Sequence, residues 1–159
     1  MPSGTSTVGG FLLNAINPEN GTVTYAYNSN GLVASKTDAK GQVFTYSYDS
    51  YNRLYQIFVG GVLLRTFLYD TNSLDGSFTS YGAGRLVAVQ NAQFTPGSSN
   101  PTEFTEMYSY TIAGQPNKKR LQANLTATAY PYPIYTANLD ASYTYDNEGK
   151  MTSVSYPNA

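Results

Sequence analysis

Tyr46-Ser47-Tyr48-Asp49-Ser50-Tyr51-Asn52-Arg53-Leu54 is the stretch whose reading decides the fold. Tyrosines in alternation describe an extended strand with one aromatic face, because successive strand side chains point to opposite sides. Asp49 suits the first corner of a type I turn, where a carboxylate accepts backbone N–H groups further along. Asn52 suits the left-handed residue of a bulged hairpin. The stretch therefore encodes a strand, a tight turn and a returning strand.

The same grammar recurs outward in both directions. Tyr25-Ala26-Tyr27-Asn28-Ser29-Asn30-Gly31-Leu32 precedes it, and Tyr143-Thr144-Tyr145-Asp146-Asn147-Glu148-Gly149-Lys150 follows near the other end. A weaker copy runs from Tyr108 through Tyr110 to Gly114. In another, Tyr69-Asp70 is separated from its Gly84-Arg85-Leu86 by a stretch rich in Ser, Thr, Gly and Asp. Tyr27, Tyr48 and Tyr69 stand 21 residues apart, and Gly21, Gly41 and Gly61 stand 20 apart. That period suffices for two short strands and two turns, so each repeat reads as one hairpin stacked on its neighbour. Asp38-Ala-Lys-Gly41 and Gly60-Gly61 read as the turns that join hairpins.

The expected fold is all-β: repeated antiparallel hairpins forming a curved or spiralling open sheet, with little helix and strands of about six to eight residues. Residues 1–17 read as a flexible N-terminal tail and lead-in, 18–156 as the hairpin module with an insertion at 71–83, and 157–159 as a C-terminal tail. Within the strands the tyrosine face is expected to supply the core, since each aromatic ring buries a large area. The opposite face carries small residues such as Ala26, Ser47, Ser109 and Thr144.

Composition narrows the chemistry. The 159 residues include no cysteine and no histidine, which excludes thiol or imidazole nucleophiles, a Ser-His-Asp triad and the common zinc sites. A formal net charge of −1 with interspersed signs argues against nucleic acid as a partner. The basic run Lys118-Lys119-Arg120 reads as a solvated strand end. No stretch has signal-peptide character or membrane-spanning length, and membrane insertion is not expected.

These residues resemble the YD-repeat family, also called Rhs repeats, whose pattern runs Tyr-x-Tyr-Asp-x-x-Gly-Arg-Leu. The resemblance rests on Tyr25, Tyr27, Gly31, Tyr46, Tyr48, Asp49, Arg53, Leu54, Tyr69, Asp70, Gly84, Arg85, Leu86, Tyr108, Tyr110, Gly114, Tyr143, Tyr145, Asp146 and Gly149. Asn28 stands in place of the Asp, Asn52 in place of the Gly, and Leu32 in place of the Arg. The resemblance implies a winding ribbon of hairpins. In bacterial Rhs toxins, insecticidal toxin complexes and teneurins the ribbon forms a hollow shell, secreted or at the cell surface. It implies a non-enzymatic scaffold or encapsulating wall without cofactors, whose partners are neighbouring repeats or further copies meeting at edge strands. No segment resembles the self-cleaving core of the larger members.

Repeated acids at Asp49, Asp70 and Asp146 suggest calcium, but their turn-corner positions favour capping of local N–H groups. Arg53 and Arg85 are expected to pair with an Asp of a neighbouring repeat. Glu103 and Glu106 read as solvated charge rather than as a glycosidase pair. Tyr51, Tyr55, Tyr81, Tyr130, Tyr132 and Tyr135 fall at turns or in a Pro-rich link. Tyr130, Tyr132 and Tyr135 carry an alternative reading, a glycan or protein ligand held on aromatic faces with polar tips.

Overall fold

The computed structural model describes residues 4–19, 21–93, 102–126 and 134–157. All regular structure among them is strand: β1 (Gly4–Val8), β2 (Phe11–Asn17), β3 (Gly21–Tyr27), β4 (Val33–Thr37), β5 (Val43–Tyr48), β6 (Leu54–Val59), β7 (Val62–Tyr69), β8 (Leu86–Gln93), β9 (Thr102–Tyr110), β10 (Pro116–Thr126), β11 (Ile134–Tyr145) and β12 (Met151–Ser155). The chain divides into two compact units, residues 1–64 and 65–159, with the division inside β7. In both, the strands pair antiparallel in chain order and the sheet stays open.

In the first unit, Gly4–Val8 and Phe11–Asn17 are strands where the sequence suggested a flexible tail. β1 pairs with β2 from Gly4 opposite Ile16 to Val8 opposite Phe11, and β2 continues onto β3. Gly9 and Gly10 make the reversal, both at positive φ, a region other side chains seldom enter. None of the side chains described in this unit is fully buried, so its stability comes from half-covered residues and ladder hydrogen bonds.

The second unit contains a true core, and residues 71–83 build it. This insertion lies against β8 and β9 rather than capping an edge strand. Thr79 Oγ1 donates to the Tyr108 carbonyl at 2.8 Å, Ser80 N to Ser109 Oγ at 3.0 Å, and Tyr110 N to the Ser80 carbonyl at 3.1 Å. Phe78 thereby meets Ala88 and Met107, which are 0% and 1% exposed, with Leu68 packed alongside. Asn72, also buried, shapes the loop: its Oδ1 accepts from Leu74 N and Asp75 N while its Nδ2 donates to Thr79 Oγ1. At Gly82 a side chain has no room, for a Cβ would stand 2.5 Å from the Asp70 carbonyl and 2.6 Å from Val87.

The cluster around Phe78 therefore forms on the face that the sequence assigned to small residues, while Val89, opposite Glu106, is buried on the other. Thr105, Met107 and Ser109 are buried, whereas Tyr108 and Tyr110, which alternate with them, are half-buried. Small side chains leave a flat surface on which a loop can seat a ring, so the insertion covers that face and the tyrosines stay at the boundary. β10 and β11 reach 11 and 12 residues, longer than expected. β10 is flanked along most of its length by β9 and β11, so both rows of its backbone groups are satisfied and nothing stops the ladder early. Truncating the inserted ring by Phe78→Ala is expected to cost about 3 kcal/mol; a shift of the urea midpoint smaller than that of an exposed control such as Tyr81→Ala would contradict this account of the core.

Candidate functional site: hairpin tips and tyrosine ties

The hairpin tips that follow β3, β5, β7, β9 and β11 are closed by the same local chemistry. Asp49 N donates to the Arg53 carbonyl at 2.9 Å, Asn52 N to the Asp49 carbonyl at 3.0 Å, and Asp49 Oδ1 accepts from Tyr51 N and Arg53 N, both at 2.9 Å. Asn52 holds φ at 61°, the left-handed region that Asn tolerates better than most residues. Asn28 and Asp146 repeat the arrangement, and Asp38 repeats it where β4 turns into β5. At the copy lacking Asp, Thr111 substitutes its hydroxyl, which accepts from Gln115 N at 3.2 Å. The tip at Asp70 keeps its closure despite the insertion, with Asp70 N donating to the Arg85 carbonyl at 3.0 Å and Asp70 Oδ1 accepting from Gly84 N at 2.6 Å. These carboxylates serve the local N–H groups of their own turns.

The second tyrosine of each pair does something the sequence did not reveal. Tyr27 Oη donates to the Leu12 carbonyl at 2.9 Å, Tyr48 Oη to Val33 at 2.7 Å, Tyr110 Oη to Leu86 at 2.5 Å and Tyr145 Oη to Pro116 at 2.7 Å. The acceptor is each time the residue two past the turn glycine of the preceding hairpin, counting from Gly10, Gly31, Gly84 and Gly114. The ring lies along the boundary of the sheet while its hydroxyl ties one hairpin to the one before. Recurrence of Tyr rather than Phe was the available signal, since Phe fills an aromatic face equally well but cannot donate.

The residue just after the turn glycine reaches the next tip. Phe11 packs on Tyr27, ring centres 4.8 Å apart, and lies beside Gly31. Arg85 places its guanidinium 5.5 Å from the Tyr110 ring centre and beside Gly114, where an added Cβ would come within 2.6 Å of it. Gln115 Nε2 donates to the Gly149 carbonyl at 2.9 Å. The expectation that Arg85 pairs with a neighbouring repeat's Asp is thus corrected. Arg53 bonds Asp49 of its own turn, Nε to Oδ2 at 2.7 Å, because four residues around a tight turn bring them together. Arg85 bonds the Tyr81 and Ala83 carbonyls and covers the next tip's tyrosine and glycine.

Beside the inserted loop, a cleft of about 420 Å³ is lined by Asp75, Ser77, Phe78, Lys118, Arg120 and Asp140, among others. Arg120 is not the solvated strand end expected of the basic run. Its guanidinium sits 4.5 Å from the Phe78 ring centre and bonds Asp140 at 2.7 Å and Asp75 at 3.0 Å. The Ser77 hydroxyl and Arg120 hold the Asp75 carboxyl below its usual range, and the Arg120 bond does the same for Asp140. On the opposite face Lys119 bonds Glu106 at 2.7 Å, and Glu106 accepts the Tyr108 hydroxyl. Burial, then that bond, pushes the Tyr108 phenol well above its usual value. Glu106 is therefore a paired group rather than a solvated charge.

Tyr130 and Tyr132 lie outside the described residues, and Tyr135 enters β11 with its backbone opposite Leu125. Tyr51 is exposed with the Arg53 guanidinium 5.1 Å from its ring centre, and Tyr81 is exposed at the inserted loop. The glycan reading receives no support from these positions.

Removing one tie by Tyr48→Phe is expected to lower stability by about 1 kcal/mol, against less than about 0.5 kcal/mol for the exposed Tyr51→Phe; equal effects in chemical denaturation would refute a structural role for the hydroxyl. The lowered carboxyls at Asp75 and Asp140 make a second prediction. Their stabilisation is complete above the ordinary carboxylate range and is lost as pH falls through their lowered values. Between about pH 5 and about pH 2, Arg120→Met should lose less stability than the native chain, measured by urea unfolding.

Comparison with known proteins finds the RHS Repeat family model matching residues 27–57. No curated protein matches the chain. Solved structures similar to it include the Tc holotoxin pore of Photorhabdus luminescens with a mutated TccC3, at 15% identity over 85% of this chain and a TM-score of 0.34. A TcdB2–TccC3–TEV structure is also similar, at 15% identity over 86% of this chain and a TM-score of 0.34. The chain spans about 9% of the length of either. From the tyrosine that ends β3, through the Asp49 tip, to β6, residues 27–57 match the RHS Repeat family, the one that the recurring tyrosine tips resemble.

Proposed function

We propose that this chain is a structural repeat module, part of the wall of a larger β-shell that is secreted or exposed at a cell surface, and that its neighbours in that wall are further repeats. The observation that carries this reading is the tyrosine tie. At four hairpins the phenol that a catalytic site would aim into a pocket is spent instead on the backbone of the preceding hairpin. The Asx and Thr side chains at the tips accept the N–H groups of their own turns, and Asn30, Arg85 and Gln115 reach the next tip, so what the repeats build together is an extended surface held in register.

The RHS repeat match at residues 27–57 supports the reading, because it covers one complete tip with its flanking strands. In repeat architectures each unit contacts its neighbours and stability is close to a sum over units and interfaces. A wall element of this kind needs rigidity and continuity rather than a reactive group, and its Asx turns, ladders and ties provide both.

The test is an in-register deletion. Removing residues 28–48 joins Tyr27 directly to Asp49 and restores Tyr-Ala-Tyr-Asp-Ser-Tyr-Asn-Arg-Leu. If the chain is modular, this shortened protein retains its β-type circular dichroism and unfolds cooperatively, whereas removing residues 28–38, half a period, does not. Loss of cooperative folding in both variants would show an indivisible domain and overturn the proposal.

A further inference from the structure

We propose that the outer edge of β12 is a docking site for a β-hairpin whose leading strand ends in Tyr-x-Tyr-Asx, read by the Met151 carbonyl and the Lys150 side chain. The inference rests on the repeat-module reading above and names the partner of one specific edge. Among the described residues β12 has a neighbour on one side alone, β11, and all of Met151–Ser155 is exposed. Met151 is 47% and Val154 37% exposed, an apolar content that a solvated terminal strand does not require.

Register identifies the occupant. Val33, Leu86 and Pro116 accept tyrosine hydroxyls, and each stands directly opposite the tyrosine that ends the leading strand of its own hairpin, Tyr27, Tyr69 and Tyr110. Met151 has that same place: it is two residues past Gly149 and directly opposite Tyr145. Lys150 likewise follows Gly149 as Phe11, Arg85 and Gln115 follow their glycines, and those three side chains cover the next tip. The edge thus presents the acceptor, the covering side chain and the unpaired ladder of a junction that the fold makes elsewhere in full.

A strand lacking tyrosine cannot complete the junction, because the tie needs a phenol donor at the residue before the turn. This argues against a second copy of the chain docking through β1, since Gly4–Val8 contains no tyrosine. The partner is instead a hairpin with the chemistry of β5 and β6, which carry Tyr46, Tyr48, Asp49 and Asn52 around their turn. Backbone pairing supplies affinity and the tyrosine supplies register, as in other strand additions to a sheet edge.

The experiment extends the whole chain. Residues 156–159 are replaced by a copy of residues 38–59, which enters after Ser155 at the same distance from Gly149 as Asp38 is from Gly31. Amide hydrogen exchange at Met151–Ser155 is compared with the native chain, with β9 and β10 as internal reference for a folded host. The expected result is exchange slowed by about 10-fold or more at β12, with about 5-fold of that lost when the copy carries Tyr48→Phe, the loss corresponding to one hydrogen bond. Unchanged exchange at β12 in a folded host, protection appearing at Gly4–Val8 instead, or protection indifferent to Tyr48→Phe would each overturn the proposal. The deletion of residues 28–48 does not involve β12, so a chain that passes that test and fails this one remains a repeat module without this docking edge.

Discussion

A hairpin alone is marginal in water, and a row of hairpins gains stability only if each is held to the next in one register. Backbone ladders do not supply that by themselves, because a polar, two-sided strand can slip. The phenol hydroxyl bonded to the preceding hairpin's carbonyl removes the ambiguity here. Tyr48 reaches Val33, Tyr110 reaches Leu86 and Tyr145 reaches Pro116, each at the point where the acceptor's own hairpin has just turned. A slip of one residue would carry the tyrosine to the other face and break the tie. Register, tip geometry and the placement of the next side chain all depend on that bond.

Turn closure and tie reinforce one another. The Asx side chain that caps the tip fixes the direction in which the chain leaves, which places the acceptor carbonyl two residues past the glycine. The residue between them, Phe11, Arg85 or Gln115, then lies over the next tip, and its chemistry varies because a ring, a guanidinium and an amide can each make that contact. The variation extends to the closing residue itself, where Thr111 replaces Asp without losing the turn. Either group accepts the same backbone N–H, which is all that closing the turn requires.

The insertion at residues 71–83 shows how the same tip accommodates more. Asp70 and Arg85 still close the hairpin, so the added residues leave and return at adjacent points and cost little in loop closure. Having left, they cover Ala88 and Met107 with Phe78 and are pinned there by Arg120, which stacks on that ring and bonds Asp75. Arg120 is itself held by Asp140 from the neighbouring strand, so the guanidinium joins loop and sheet across one face.

Local chemistry was legible in the residues alone. Strand alternation, the Asx turns at Asn28, Asp49 and Asp146, the period of the tyrosines and the resemblance to Rhs repeats all follow from interactions spanning a few neighbours. Contacts between distant residues were not legible. Nothing in Gly4–Val8 announces a strand, because its partner Phe11–Asn17 is held in turn by β3. The burial of the small face at Thr105, Met107 and Ser109 depended on where a loop from residues 71–83 comes to rest, and the destination of each tyrosine hydroxyl depended on which carbonyl the stacked hairpins bring within reach. Sequence determined the hairpins, since turns and strand faces are set by residues within a few positions; tertiary structure alone decided how they are tied and what they bury, since those contacts join residues 15 to 45 positions apart.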